Sequence, residues 1–183
     1  MKIYLNSILS AFYVLVASAE VVYREYKPGD ECSEDNFDEC LEVEGIPCYV
    51  AVDGSESDTV VGFIKLYVPD IFPRTDELAI RGRMRNPKEE GQLGYISQVW
   101  VNETYRRQGI ATVLMKYAIK TGKGVKGILA MGLLVHYNST AAIELYKKLH
   151  FVEVLKKASF YTFAYYYVPI KARQLPAGND HRP

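Results

Sequence analysis

The chain reads as a mixed α/β domain, and three features of the sequence predict it. Paired β-branched and aromatic runs flank a short Gly/Ser turn near residue 55, a later stretch alternates apolar strands with helix-period segments, and one unit runs strand, glycine turn, helix, strand. That last unit demands a crossover, which places helices on the faces of a sheet. With 183 residues, 49% of them hydrophobic, the chain can bury one sizeable core and is short for two.

The predicted order is β, α, β-β, β-α-β-α, β-β. Residues 20–26 alternate loosely and end at Lys27-Pro28-Gly29-Asp30, a strand and its turn. The acidic residues that follow predict a short helix. Residues 48–53 and 59–68 are strand-like runs separated by Gly54-Ser55-Glu56-Ser57-Asp58, a hairpin signal. Residues 69–92, with three prolines and several charges, read as a long exposed connection that begins or ends in further strand.

Residues 93–101 predict the next strand, and residues 110–120 a helix with Ile110, Val113, Leu114, Tyr117 and Ala118 on one face, stopped by Gly122. Residues 128–136 form a second apolar strand. A helix then runs to about Leu149, with Ser139 as N-cap and Ala142, Leu145, Tyr146 and Leu149 on one face. Residues 151–155 and the tyrosine-rich residues 160–169 supply two more strands, in which strand packing accounts for most of the tyrosines. The domain therefore spans residues 20–170, and residues 171–183 read as a disordered tail.

Charge excludes some partners. The 22 basic and 22 acidic residues cancel, so nothing global points to nucleic acid or to a membrane surface. The distribution is uneven: residues 30–44 carry eight acidic groups and no Lys or Arg, and residues 104–143 carry Arg106, Arg107, Lys116, Lys120, Lys123 and Lys126, with no acidic group before Glu144. The second run suits an anionic ligand; a solvated acidic face explains the first.

Lys2, the apolar residues 3–16 and Ala17-Ser18-Ala19 make residues 1–19 look like a cleavable leader, and an amphipathic helix or a surface anchor fits the same residues. The stretch is too short and polar for a firm membrane span. A leader implies the secretory pathway; its absence implies the cytoplasm. Cys32, Cys40 and Cys48 are spaced by eight, and Cys32 could bridge Cys40 in an oxidising compartment. No His lies near them, so no metal site is expected.

Chemistry concentrates at Arg106-Arg107-Gln108-Gly109-Ile110-Ala111, where a strand gives way to a helix. Glycine lets the backbone approach a ligand, the first N–H groups of a helix attract anions, and arginines add charge-assisted bonds. Gly122-Lys123-Gly124-Val125-Lys126-Gly127 also spells a dinucleotide fingerprint, but it follows a helix and precedes a strand, the wrong context for one.

The segment Arg-x-x-Gly-x-Ala, preceded by Gly-Tyr-Ile-Ser-Gln-Val-Trp-Val, resembles motif A of the GCN5-related N-acetyltransferases (GNAT). Residues 141–151, Ala-Ala-Ile-Glu-Leu-Tyr-Lys-Lys-Leu-His-Phe, are similar to motif B, with His150 in place of the usual glycine. The resemblance covers about residues 20–168. It implies a mostly antiparallel twisted sheet flanked by helices, with acetyl-CoA as co-substrate held by Val99, Trp100, Val101, Arg106, Arg107, Gln108, Gly109, Ile110, Ala111, Thr112, Ser139 and Tyr146. Ser139 falls where the family has an asparagine, with Asn138 one place early.

Gly94-Tyr95-Ile96-Ser97 and residues 156–161 look most like the NatE and NatF types of protein N-terminal acetyltransferase. This implies Tyr95 as the catalytic tyrosine, Tyr146 as general acid, and Ser97 and Tyr161 as substrate-binding residues. The catalytic histidine of these two types falls at Leu134; His136 lies two residues on, roughly 6 to 7 Å along a strand, so it serves only through a bulge or a water, and a strand-end histidine satisfied by a neighbour is the favoured reading. The acceptor implied is a protein or peptide amine. A small cationic amine, drawn by the acidic residues 30–44, and a CoA-binding module without catalysis are the other readings. The glycosylation sequons at Asn102 and Asn138 sit beside the implied cofactor site, where a glycan would obstruct binding.

Overall fold

The computed structural model describes residues 20–30, 32, 37, 40, 46–55 and 59–171. Residues 1–19, most of the acidic stretch and the tail from residue 172 lie outside the described residues, and with them the expected leader, short helix and disordered tail. Among the described residues no helix is long and apolar enough to cross a membrane.

Seven strands form one sheet: β1 (Val21–Glu25), β2 (Cys48–Asp53), β3 (Val60–Asp70), β4 (Gln92–Val101), β5 (Ile128–His136), β6 (Val152–Lys156) and β7 (Phe160–Tyr166). Their order is β1-β2-β3-β4-β5-β7-β6. Neighbours are antiparallel except β4 and β5, which run parallel because a helix connects them. This is the mixed, mostly antiparallel sheet that the family resemblance implies. Helix α1 (Arg74–Arg83) covers one face; α2 (Ile110–Gly124) and α3 (Thr140–Lys148) cover the other.

Three elements differ from expectation. The stretch 69–92 begins in strand as expected, β3 running to Asp70, but it then holds a helix, α1, which the sequence reading does not expect. Pro69 is tolerated because the β3–β4 register shifts between Tyr67 and Asp70, where a missing N–H breaks no regular ladder. In α1, Asp76 and Glu77 sit at the positive end and Arg81 and Arg83 at the negative end, and Arg81 bonds Glu77 at 2.7 Å. Its buried residues are Asp76 and Ile80. A carboxylate in the inward stripe conceals the helical period.

The second difference is α2, which runs past Gly122 to Gly124. Gly122 is not a cap but a close-approach site: a Cβ there would lie 2.4 Å from Met131 Sδ and 2.5 Å from Tyr167 Oη. The buried face is also rotated, taking Met115 in and leaving Val113 exposed. Gly122→Ala should therefore lower stability by about 1–3 kcal/mol through overpacking, read as a lower thermal midpoint; an unchanged midpoint would show that Met131 moves aside freely.

The third is the disulfide. Cys40 pairs with Cys48, not with Cys32, across a Cα separation of 5.7 Å. Phe37 is fully buried against Val50 and Phe63, and the Cys40 amide donates to its carbonyl, so the core carries Cys40 to the start of β2. Which side chains converge, rather than spacing, selects the pair.

The main core lies between the sheet and α2 and α3, with Ile64, Leu66, Leu114, Met115, Met131 and Phe163 at its centre. On the opposite face Phe72, Ile80, Met84, Leu93 and Leu129 form a smaller core under α1. The tyrosines after β7's midpoint fasten both layers to the sheet. The Tyr166 hydroxyl donates to the Ile80 carbonyl of α1 at 2.9 Å, and that of Tyr167 to the Ile119 carbonyl of α2 at 2.7 Å. Burial pushes both phenols up, so both keep the proton they donate.

Candidate active site

The site grows from an interruption in the sheet. β4 and β5 pair from Gln92/Ile128 to Tyr95/Gly132 and no further. At that point β4 bulges: Leu66 opposes Ile96 and Lys65 opposes Gln98, leaving Ser97 as the extra residue. A bulge increases local twist and turns the strand from its neighbour, so the two strands splay. Beyond Tyr95 the edge of β4 that faces β5 has no ladder partner, and alternate backbone N–H groups point into the gap.

Two cavities meet there. The larger, about 500 Å³, is lined by Val99, Trp100, Val101, Tyr105, Arg106, Arg107, Gly109, Ile110, Ala111 and Thr112 on one side and by Ala141, Ala142, Leu145, Tyr146 and Lys148 on the other. The smaller, about 270 Å³, occupies the splay between Ile96–Val99 and Leu133–His136 and reaches Ser139. Val99, Ala142 and Tyr146 border both. A ligand entering by the arginines can thus extend along α3 into the gap between the strands.

The arginine end is built for an anion. Gly109 caps α2 in the left-handed region at φ 87°, and Arg107 is also left-handed at φ 67°. These two turns curl residues 106–109 back across the helix's first N–H groups, and no atom lies within 4 Å of where a Cβ of Gly109 would be. Arg106 is held by Glu103 at 3.1 Å and by the Val101 carbonyl at 3.3 Å. The preceding turn, Glu103–Tyr105, is anchored from the hairpin: the Tyr105 hydroxyl donates to Asp53, a buried carboxylate that also accepts from the Ser55 amide and hydroxyl. The fit to a pyrophosphate is good. Open space stands at the glycine, the N–H groups that open α2 have no intrahelical partner, and Arg106 and Arg107 line the cavity.

The structure separates the predicted residues by face. Tyr146 is 8% exposed, wedged near Phe151 and Phe163 on the helix side, and burial pushes its phenol up to about 12. Tyr95 lines neither cavity. It closes the last β4–β5 pair with its ring on the α1 side, edge-on to Phe72 at 5.2 Å and beside Tyr67 at 6.4 Å. Burial, then the charges of Asp70 and Asp76, raise its pKa. The splay is the passage between these two tyrosines.

Ser97 borders the smaller cavity from the bulge, as does Ser139, which caps α3 without a side-chain bond. Gln108 is absent from both walls. Tyr161 is paired with Val135 and packs toward the main core, opposite the face of Tyr95, with Lys156 Nζ 5.6 Å from its ring centre. Leu134 joins the Tyr95 side, and His136 ends the same strand face. His136 stacks on Tyr137 at 4.6 Å and meets Phe160 edge-on at 5.3 Å, while its Nδ1 accepts the Asn138 amide at 3.3 Å. A neutral His136 therefore carries its proton on Nε2.

Sequence reasoning missed Tyr105, Phe72, Phe160 and the small Ala141-Ala142 face of α3. Only the alanines carried a signal, since small residues on a helix opposite a glycine loop leave room for a ligand.

These features, a splayed parallel pair, a bulged strand and a glycine loop opening the crossover helix, define the acyl-CoA-binding architecture that the motifs imply. The acetyltransferase (GNAT) family model matches residues 12–151, and the chain belongs to that family. Among curated relatives it is 33% identical over 120 residues to histone acetyltransferase MCC1 of Arabidopsis thaliana, which covers 63% of this chain and 48% of that one. It is 32% identical over 122 residues to the N-alpha-acetyltransferase of Saccharolobus solfataricus, covering 66% of each. The chain thus spans about half the length of the first of these relatives. Among solved structures, Arabidopsis thaliana NAA60 in complex with acetyl-CoA shares the fold with a TM-score of 0.66 and 24% identity, over 81% of this chain and 99% of that one.

Proposed function

We propose that the protein transfers the acetyl group of acetyl-CoA to the amine of a protein or peptide, with an N-terminal amine as first choice. The observation that carries this is the pair of cavities that share Val99, Ala142 and Tyr146 as walls, leading from the arginine loop into the gap that opens where β4–β5 pairing stops at Tyr95. The N-alpha-acetyltransferases and the histone acetyltransferase among its relatives support a protein amine as acceptor.

Acetyl-CoA supplies an activated thioester. The chain's residues then do three things. The loop at Arg107 and Gly109 and the start of α2 bind the phosphates, leaving the α3 face to guide the arm toward the splay. Unpaired N–H groups on the β4 edge stand where the carbonyl oxygen develops charge; losing one such donor can cost roughly 3 kcal/mol in the transition state. Tyr95 orients a water that takes the ammonium's proton, and Tyr146 donates a hydrogen bond to the departing sulfur.

Both tyrosines have raised pKa values, which favours the neutral phenol. They stay protonated through the neutral range: Tyr95 orients the water without ionising, and any proton that Tyr146 gives to the thiolate is replaced from solvent. The acceptor sets the pH dependence instead: kcat/KM for a peptide should rise with pH as its α-amino group, near pKa 7.7–8.0, loses its proton, and should not turn down below about pH 9. A falling limb near pH 8 that Tyr95→Phe removes would contradict this.

The deciding assay is CoA release against Met-Leu and Ser-Gly N-terminal peptides, internal-lysine peptides and spermidine. A preference for spermidine overturns the protein-amine reading in favour of a small-amine enzyme. Leu134, apolar where the family's catalytic histidine would stand, favours a second reading, a CoA-binding module without turnover. Thermal stabilisation by acetyl-CoA with no thiol release from any amine would establish it. The family match begins at residue 12, inside the leader-like segment; N-terminal sequencing of the native protein starting at Met1 or Lys2 would remove the leader and, with it, the case for secretion.

A further inference from the structure

Asp76, in the first turn of α1, is fully buried, and three donors from separate places converge on it. Lys157 Nζ donates at 2.6 Å from the β6–β7 turn, Thr162 Oγ1 at 2.7 Å from β7, and Thr75 Oγ1 at 3.2 Å from α1 itself. Burial alone would raise its pKa. The hydrogen bonds from Lys157 and Thr162 and the lysine's charge outweigh it and hold the carboxyl below its ordinary range. Asp76 is fully buried while the Lys157 side chain is 36% exposed, and such a pair adds little net stability, so its siting calls for another account.

Each end of the network leads to the acceptor face. Four residues before Asp76, Phe72 fixes the ring of Tyr95 edge-on. Thr162 is the register partner of Leu134. The Lys157 amide donates to the Phe160 carbonyl at 2.8 Å, and Phe160 meets His136. One carboxylate joins the Phe72–Tyr95 wall to the Phe160–His136 wall.

We propose that Asp76 is a positioning residue that sets the spacing of these two walls and so governs binding of the peptide acceptor, leaving the cofactor half untouched. This rests on the transferase reading above. Asp76→Asn keeps the size of the side chain and loses the ion pair; it should raise KM for a Met-Leu N-terminal peptide about tenfold while KM for acetyl-CoA stays within about twofold, because walls out of position lose contacts to the bound peptide, a uniform-binding loss that reads in KM. The double variant Asp76→Asn/Lys157→Met removes both charges, so it should recover the thermal midpoint but not the peptide KM.

Wild-type peptide KM in both variants overturns the proposal. So does a common rise of both KM values that recovers together with the midpoint, the mark of a purely structural role. If the wild-type protein releases no CoA with peptide, the transferase reading has failed, and hydrogen exchange then tests the clamp by itself. Asp76→Asn should speed exchange of residues 72–80 and 157–162 together and leave α2 protected; unchanged exchange in both segments overturns the clamp.

Discussion

Gly109→Val should abolish useful binding of acetyl-CoA, lowering affinity at least about a hundredfold, near 2.8 kcal/mol. Two effects add. At φ 87° a β-branched residue is strained by about 1–3 kcal/mol, which flattens the curl that aims the loop's N–H groups. The new side chain also fills the open space beside the start of α2, where the anion would sit. Because no atom of the described residues, the chain neighbours aside, lies within 4 Å of that position, the folded domain tolerates the change, and its thermal midpoint should fall by only about 2–4 °C per kcal/mol of strain. Calorimetric titration with acetyl-CoA measures the first quantity and thermal denaturation the second. Binding equal to wild type would sink the assignment of this loop to the cofactor. Gly122→Ala is the control: it loads the core but lies outside both cavity walls, so stability should drop and affinity should not.

Tyr95→Phe should lower kcat by about two powers of ten, the lower end of what a positioned proton-transfer group contributes, with KM for acetyl-CoA unchanged. The ring is held by Phe72 and Tyr67, so phenylalanine fills the same place and only the hydroxyl is lost. The cofactor cavities do not include Tyr95, which is why its removal should leave cofactor binding alone. A variant with wild-type kcat would shift the proton-handling role elsewhere on this face. His136, whose Nε2 carries the proton of a neutral ring, is the next group to test there.

Much of this arrangement was legible in the residues. The hairpin at residues 48–68, the β4–α2–β5 crossover and the anion loop at its turn follow from local rules, since alternation, glycine placement and helix period all act within a few residues of one another. Helix α1 was hidden because its inward positions include Asp76, a charge that only makes sense beside Lys157 and Thr162, about eighty residues away in the chain. The extension of α2 past Gly122 was hidden because glycine reads locally as a helix stop; there it makes room for Met131 and Tyr167, which local sequence does not bring near. The Cys40–Cys48 pair depended on Phe37 reaching the core of β2 and β3.

By itself, then, the sequence determined the class of fold, the order of its strands and of the helices α2 and α3, and the arginine–glycine loop as the candidate anion site, because each is written in short-range patterns of polarity and backbone freedom. The tertiary structure alone decided which face each tyrosine occupies. Strand register turns Tyr95 toward α1, while the packing of α3 on the opposite face sets Tyr146 in the cavity wall, with the gap between β4 and β5 lying between the two faces. A single residue of shift in a strand moves a side chain to the opposite face, and strand register is set by long-range pairing that no local window of the sequence contains.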